Sequence, residues 1–244
     1  FQMNVDRFAS DGLGLAPKDI GLLLGILACG VAVGNVTAGW VSGSRIELGL
    51  VPFAAAGIVA GALLLALVPG GGTPAGGVAV FSLPYMLSAA CLVVLGAFAG
   101  MYDVPLQSFL QYRSPVASRG AILAASNMLT FSGTLIAAGV FAAMGLFLSG
   151  RMIFLVSGLA LTPAVVIMML VIPRETVRFF VWVVTRLMYR VQVEGLENVP
   201  AQGGVLLTPN HISWVDGLLI GLASPRHPHY MVYAEYFEKP LIAW

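Results

Sequence analysis

The sequence predicts a mixed fold class: an α-helical transmembrane bundle of five spans, followed by the start of an α/β domain. Three observations predict it. Hydrophobic residues make up 59% of the 244 residues and charged residues 9%, where soluble globular domains carry about 25% charged residues; mean hydropathy is +0.92. The apolar residues gather into five stretches, each holding about the 20 predominantly apolar residues that a helix needs to cross a bilayer. Near residue 174 this character gives way to charges, turns and short apolar runs.

The five stretches are residues 20–40, 48–68, 85–106, 120–148 and 152–172. Small residues recur four apart in Gly21/Gly25, Gly30/Gly34, Gly57/Gly61 and Gly96/Gly100, a spacing that lets helix backbones approach closely in lipid. It reads as helix packing, with a specific dimerisation signal as the alternative. Lys and Arg in alternate connections give the orientation. One side holds Arg45, Arg113, Arg119, Arg174, Arg178, Arg186 and Arg190; the other holds Arg7, Lys18 and Arg151. Seven against three places the C-terminal part in the cytoplasm and the Gly-rich loop from Pro69 to Gly77 outside, where it reads as flexible. Asp103 is the only acid inside a span. An intramembrane charge is a candidate for substrate binding or cation coupling; hydration at the cytoplasmic end of its helix is the alternative. Asn35, Gln107, Asn127 and Thr130 read as interhelical hydrogen-bonding or path-lining groups.

At about 100° per residue, Arg174, Glu175, Arg178, Thr185, Arg186 and Arg190 fall within one arc of about 160°, and Val177, Phe180, Val181, Val183, Val184, Leu187 and Met188 lie opposite. This predicts a basic amphipathic helix at the membrane interface, with Trp182 and Tyr189 near headgroup level; a sixth span or an ordinary domain helix are the alternatives. The chain therefore divides into residues 1–172, 173–190 and 191–244. In the last part, 191–194 alternates as a short strand, 195–204 is turn-rich, 205–208 reads as a buried strand, 216–223 as a helix and 230–233 as another strand.

A predicted strand-to-helix turn carries Asn210-His211-Ile212-Ser213-Trp214-Val215-Asp216. His211 and Asp216 can face one pocket there. A histidine can take a proton from a hydroxyl, and a carboxylate beside it can fix its tautomer and stabilise the imidazolium that forms. Ser213-x-x-Asp216 also fits a capping box at the start of the helix, and both readings stand on spacing alone. A metal site from His211, His227 and His229 lacks a Cys or second acid beside it. Cys29 and Cys91 lie in apolar stretches and provide neither a disulfide framework nor a metal site. A net charge of +1 without a basic cluster argues against a nucleic-acid partner.

Gly195-Leu196-Glu197-Asn198-Val199-Pro200, the short strand and the 210–216 block closely resemble the first block of the glycerolipid acyltransferase family, whose hallmark is His-x4-Asp. The resemblance implies an α/β acyltransferase domain, with His211 as general base toward a glycerol hydroxyl and Asp216 as the group that orients and charge-balances it. Asn210 and Ser213 are carried over as substrate-binding positions, together with Asp103 from the span reading. The implied acyl donor is acyl carrier protein or acyl-CoA, attacked directly, with no bound cofactor. The order of spans, the connection Ser42 to Glu47, and the stretch from Val104-Pro105-Leu106-Gln107 through Arg119-Gly120 to Ser126-Asn127 resemble the C-terminal half of a major facilitator transporter, in its lysophospholipid transporter branch. Together the two resemblances imply a bacterial inner-membrane fusion that moves lysophospholipid inward and reacylates it. The competing expectation is a transporter of another solute with a vestigial tail. Phe1 and Trp244 read as cut ends of a longer chain whose later acyltransferase blocks follow Trp244, so the piece alone is expected to be inactive.

Overall fold

The computed structural model describes residues 2–43, 46–69, 82–200, 202–213, 215–224, 226 and 228–231. Arg45, most of the Gly-rich loop, Trp214, His227 and the end of the last expected strand lie outside the described residues. The chain divides into two units, Phe1–Thr176 and Val177–Trp244.

The first unit is helical. A short α1 (Gln2–Arg7) runs into a π-helical turn, Phe8–Gly12. Gly14, at φ 64°, closes that turn while its N–H donates to the Ser10 carbonyl, and the Leu15 N–H donates to Ala9; only glycine takes such a φ without strain. Five long helices follow: α2 (Pro17–Ser42), α3 (Leu50–Leu67), α4 (Leu83–Arg113), α5 (Arg119–Gly145) and α6 (Gly150–Val171). All five are long and apolar enough to cross a membrane. Proline just inside the start of α2 and α4 suits a first turn whose N–H groups have no intrahelical acceptor. At the start of α6, the Ser149 hydroxyl accepts from the Met152 N–H. α4 runs through buried Pro105 and ends at Arg113, past the expected end at 106.

Three of the four glycine pairs lie where helices touch. A methyl on Gly30 or Gly34 would strike the Val93 or Ala97 backbone, and one on Gly96 or Gly100 would strike Leu27 or Val31. Because the matched positions advance together, α2 and α4 run in the same direction at backbone contact. Gly57 and Gly61 admit Phe98 and Leu95 in the reverse order, so α3 runs antiparallel to α4. Among the described residues, no heavy atom lies within 4 Å of such a methyl on Gly21 or Gly25. The core is a layer of Leu23, Leu27, Leu65, Leu92 and Leu95, extended by Val5, Phe8 and Phe154. Phe8 meets Phe154 edge-to-face at 5.5 Å, and the buried Asn4 amide donates to the Gly150 carbonyl at 2.7 Å. Burial ranks the helices: 56% of the most apolar stretch of α3 is covered and only 6% of that of α5. Exposed Met128, Leu129, Phe131, Leu135 and Ile136 along α5 form a surface that water would penalise and hydrocarbon accommodates.

The second unit contains most of α7 (Pro173–Met188), a 3₁₀ turn (Leu196–Asn198) and α8 (Asp216–Ala223). Among the described residues there is no strand, so the α/β character expected for this part is not seen. Residues 191–194 and 205–208 are irregular, and Leu206 is exposed rather than buried. Alternation in sequence marks two faces, but a strand also needs a neighbour to satisfy its N–H and C=O groups; neither segment has one among the described residues.

Candidate active site

The site is built around the first residue of α8. Val215 precedes the helix, and Asp216 opens it, where the exposed N–H ends of a helix favour negative charge. Its carboxylate turns back on the chain. Asp216 Oδ2 accepts from the backbone N–H of Ile212 at 2.6 Å and of Ser213 at 2.7 Å, and lies 3.3 Å from His211 Nδ1. The two N–H donors, Ser213 foremost, hold the carboxyl below the usual carboxylate range, with His211 adding to the effect. An ionised Asp216 calls for a donor on the facing ring nitrogen, which places the proton on Nδ1 and leaves Nε2 with its lone pair. The His211 side chain is 73% exposed against 23% for Asp216. The His211 ring is therefore open to its surroundings while the carboxylate beside it is more sheltered.

The capping box expected from Ser213-x-x-Asp216 forms in only one direction. Asp216 reaches back to the Ser213 N–H, but the Ser213 hydroxyl accepts from Val215 N at 3.4 Å instead of from the helix. The helix starts at Asp216, three residues after the cap that the motif places at Ser213. Asn210 is exposed beside His211.

Three further residues hold this block, and local sequence pattern does not identify them. The Arg226 guanidinium donates to the Pro200 carbonyl at 3.1 Å and to the Gly203 carbonyl at 2.7 Å. The Ser224 hydroxyl shapes the turn behind it, donating to the Arg226 carbonyl at 2.7 Å and accepting from the Arg226 N–H at 3.2 Å. The Tyr230 hydroxyl donates to the Gly217 carbonyl at 2.6 Å, and burial raises its pKa. These contacts span 23 and 26 residues for Arg226 and 13 for Tyr230, beyond the reach of any helix or strand period.

Asp103 lies on the exposed side of α4, where the Gln107 amide, one turn on, approaches it at 3.5 Å. The Thr130 hydroxyl donates to the Ser126 carbonyl of its own helix, and Asn35 packs where α2 meets Gly100. Among the described residues no three His, Cys, Asp or Glu side chains come together as a metal site would require.

Residues 190–244 match the family model described as Acyltransferase. The match takes in the whole His211–Asp216 block and supports transfer of acyl groups. No solved structure matches the chain.

Proposed function

We propose that the C-terminal unit transfers an acyl chain from the thioester of acyl carrier protein or acyl-CoA to a free hydroxyl of a lysoglycerophospholipid. The observation that carries this reading is the Asp216 carboxylate held against His211 Nδ1 within the stretch that matches acyltransferases. His211 Nε2 takes the proton of the acceptor hydroxyl as its oxygen attacks the thioester carbonyl. The tetrahedral adduct collapses, the C–S bond breaks, and the departing sulfur receives the proton from the imidazolium. Asp216 stays ionised throughout, stabilising the cation and holding the ring. No acyl-enzyme forms.

The same reading makes the five spans part of a lysophospholipid translocator of the major facilitator type in a bacterial inner membrane, with the second unit cytoplasmic. Arginine placement supports the orientation. On this reading α7 is an interface helix, lying at the membrane surface rather than crossing it. One residue separates the end of α6 from Pro173, so α7 starts where a span ends. Its apolar stripe is outward: Val177, Phe180, Leu187 and Met188 are 59, 63, 82 and 68% exposed, whereas Phe179 and Thr185 are buried. An outward apolar stripe edged by arginine suits the boundary between acyl chains and anionic headgroups.

The test is transfer of a labelled acyl chain to lysophosphatidylethanolamine by the full-length protein in liposomes, wild type against His211→Ala. Loss of a positioned general base lowers turnover by about 10²- to 10⁴-fold. Equal activity in the two proteins would sink the assignment and favour a transporter of another solute with a vestigial tail.

A further inference from the structure

We infer that Arg226 is a positioning residue for His211: its guanidinium clasps the start of the segment that ends in the histidine, so that the base is held from both sides. Residues 204–210 run between two fastenings on opposite ends of one helix. Downstream, Asp216 at the first residue of α8 binds the N–H groups of Ile212 and Ser213. Upstream, Arg226, three residues beyond the last residue of α8, binds the carbonyls of Pro200 and Gly203. The segment therefore returns along α8, an element of eight residues and about 12 Å.

The chemistry of the clasp suits arginine. A planar fork with several fixed donors can hold two carbonyls at once, which a single ammonium does less well. Gly203, at φ 86°, turns the chain so that its carbonyl meets the fork, and a residue with a Cβ pays strain there. The Ser224 hydroxyl braces the other side, bonded to both the N–H and the carbonyl of Arg226. His211, by contrast, has a largely exposed ring whose one side-chain partner among the described residues is Asp216. Its placement toward a reactant therefore depends on where the backbone delivers it. A displacement of about 1 Å at a reacting group can cost about 10²-fold in rate.

The kinetic arm of the test rests on the acyl-transfer reading, and the exchange arm does not. Full-length wild type, Arg226→Ala, Arg226→Lys, Ser224→Ala and His211→Ala are reconstituted in liposomes. They are assayed for kcat and for KM of both substrates, and for hydrogen exchange at the Ile212 and Ser213 amides. Arg226→Ala is expected to lower kcat by about 10- to 100-fold with KM within about twofold. It should also speed exchange at both amides about tenfold or more, because the Asp216 bonds no longer close on a held segment. Arg226→Lys recovers part of each effect and Ser224→Ala produces a smaller version of each, whereas His211→Ala loses turnover with exchange unchanged. Wild-type kcat and exchange in Arg226→Ala would overturn the inference, as would a raised KM with unchanged kcat, which makes Arg226 a substrate-binding residue. If wild type transfers no acyl chain, the functional reading fails and exchange alone decides: faster exchange upholds the clasp, and unchanged exchange overturns it. If Arg226→Ala does not fold, Arg226→Lys and Ser224→Ala carry the same comparison.

Discussion

Asp216, the first residue of a helix, uses one carboxylate oxygen for two tasks: it gathers two backbone N–H groups and faces His211. Both set its pH behaviour. Its folded pKa is depressed, so the stability it contributes is fully present above the unfolded carboxylate value of about 3.9 and is lost as pH falls through the lower folded value. Amide exchange at Ile212 and Ser213, corrected for intrinsic rate, should therefore stay protected from neutral pH down to about 4 and lose protection below it. Loss at mildly acidic pH would contradict the carboxylate's assignment as the anchor. Of the residues in this site, His211 and Asp216 were legible because both lie in the short 210–216 block that resembles a known motif; their spacing alone left a capping box equally open. Arg226 was not. Pro225-Arg226-His227-Pro228 reads only as a break in regular structure, and the carbonyls it binds are chosen by folding across more than twenty residues.

The five spans and α7 form close to where apolar length and periodicity place them, since a helix needs no partner to satisfy its own backbone. Contacts between helices are less legible. Gly21/Gly25 and Gly30/Gly34 share one helix and one spacing, yet among the described residues only the second pair meets a neighbour. Gly34→Leu or Gly100→Leu should cost about 1–3 kcal/mol by overpacking, and Gly25→Leu should stay within about 0.5 kcal/mol. Thermal unfolding of the detergent-solubilised protein, monitored through the spans, checks this; equal loss at all three positions would mean the α2–α4 contact is wrong. For α7 and the chain just beyond it, replacing exposed Arg174, Arg186 and Arg190 with Gln should weaken acyl transfer on anionic vesicles by roughly 1 kcal/mol per residue at low salt. Neutral vesicles should show little difference. Strands behave differently from either class of helix. Residues 191–194 and 205–208 have the residue types of strands, but pairing comes from elsewhere in the chain, and no ladder forms among the described residues.

At the scale of the molecule, the two units carry chemistry that can be separated. His211→Ala should abolish acyl transfer while leaving uptake of lysophospholipid into vesicles intact. Asp103→Asn should lower uptake while leaving transfer to lysophospholipid supplied directly to the acyltransferase unit. Uptake unchanged by Asp103→Asn would reduce the spans to an anchor. On the proposed reading, tethering gives the two units a use on one chain: a lysolipid released at the leaflet would meet the acyltransferase unit at high local concentration rather than after a diffusive search. The sequence by itself determined the membrane class, the number of spans, the amphipathic helix and the His211–Asp216 pair, because each depends on composition or on residues within a turn or two of one another. The tertiary structure decided which glycines face a neighbouring backbone, that α3 is covered while α5 is open, and that Arg226, Ser224 and Tyr230 fasten the chain on either side of the His211–Asp216 block. Those outcomes depend on which distant atoms arrive at a given place, and no local period encodes that.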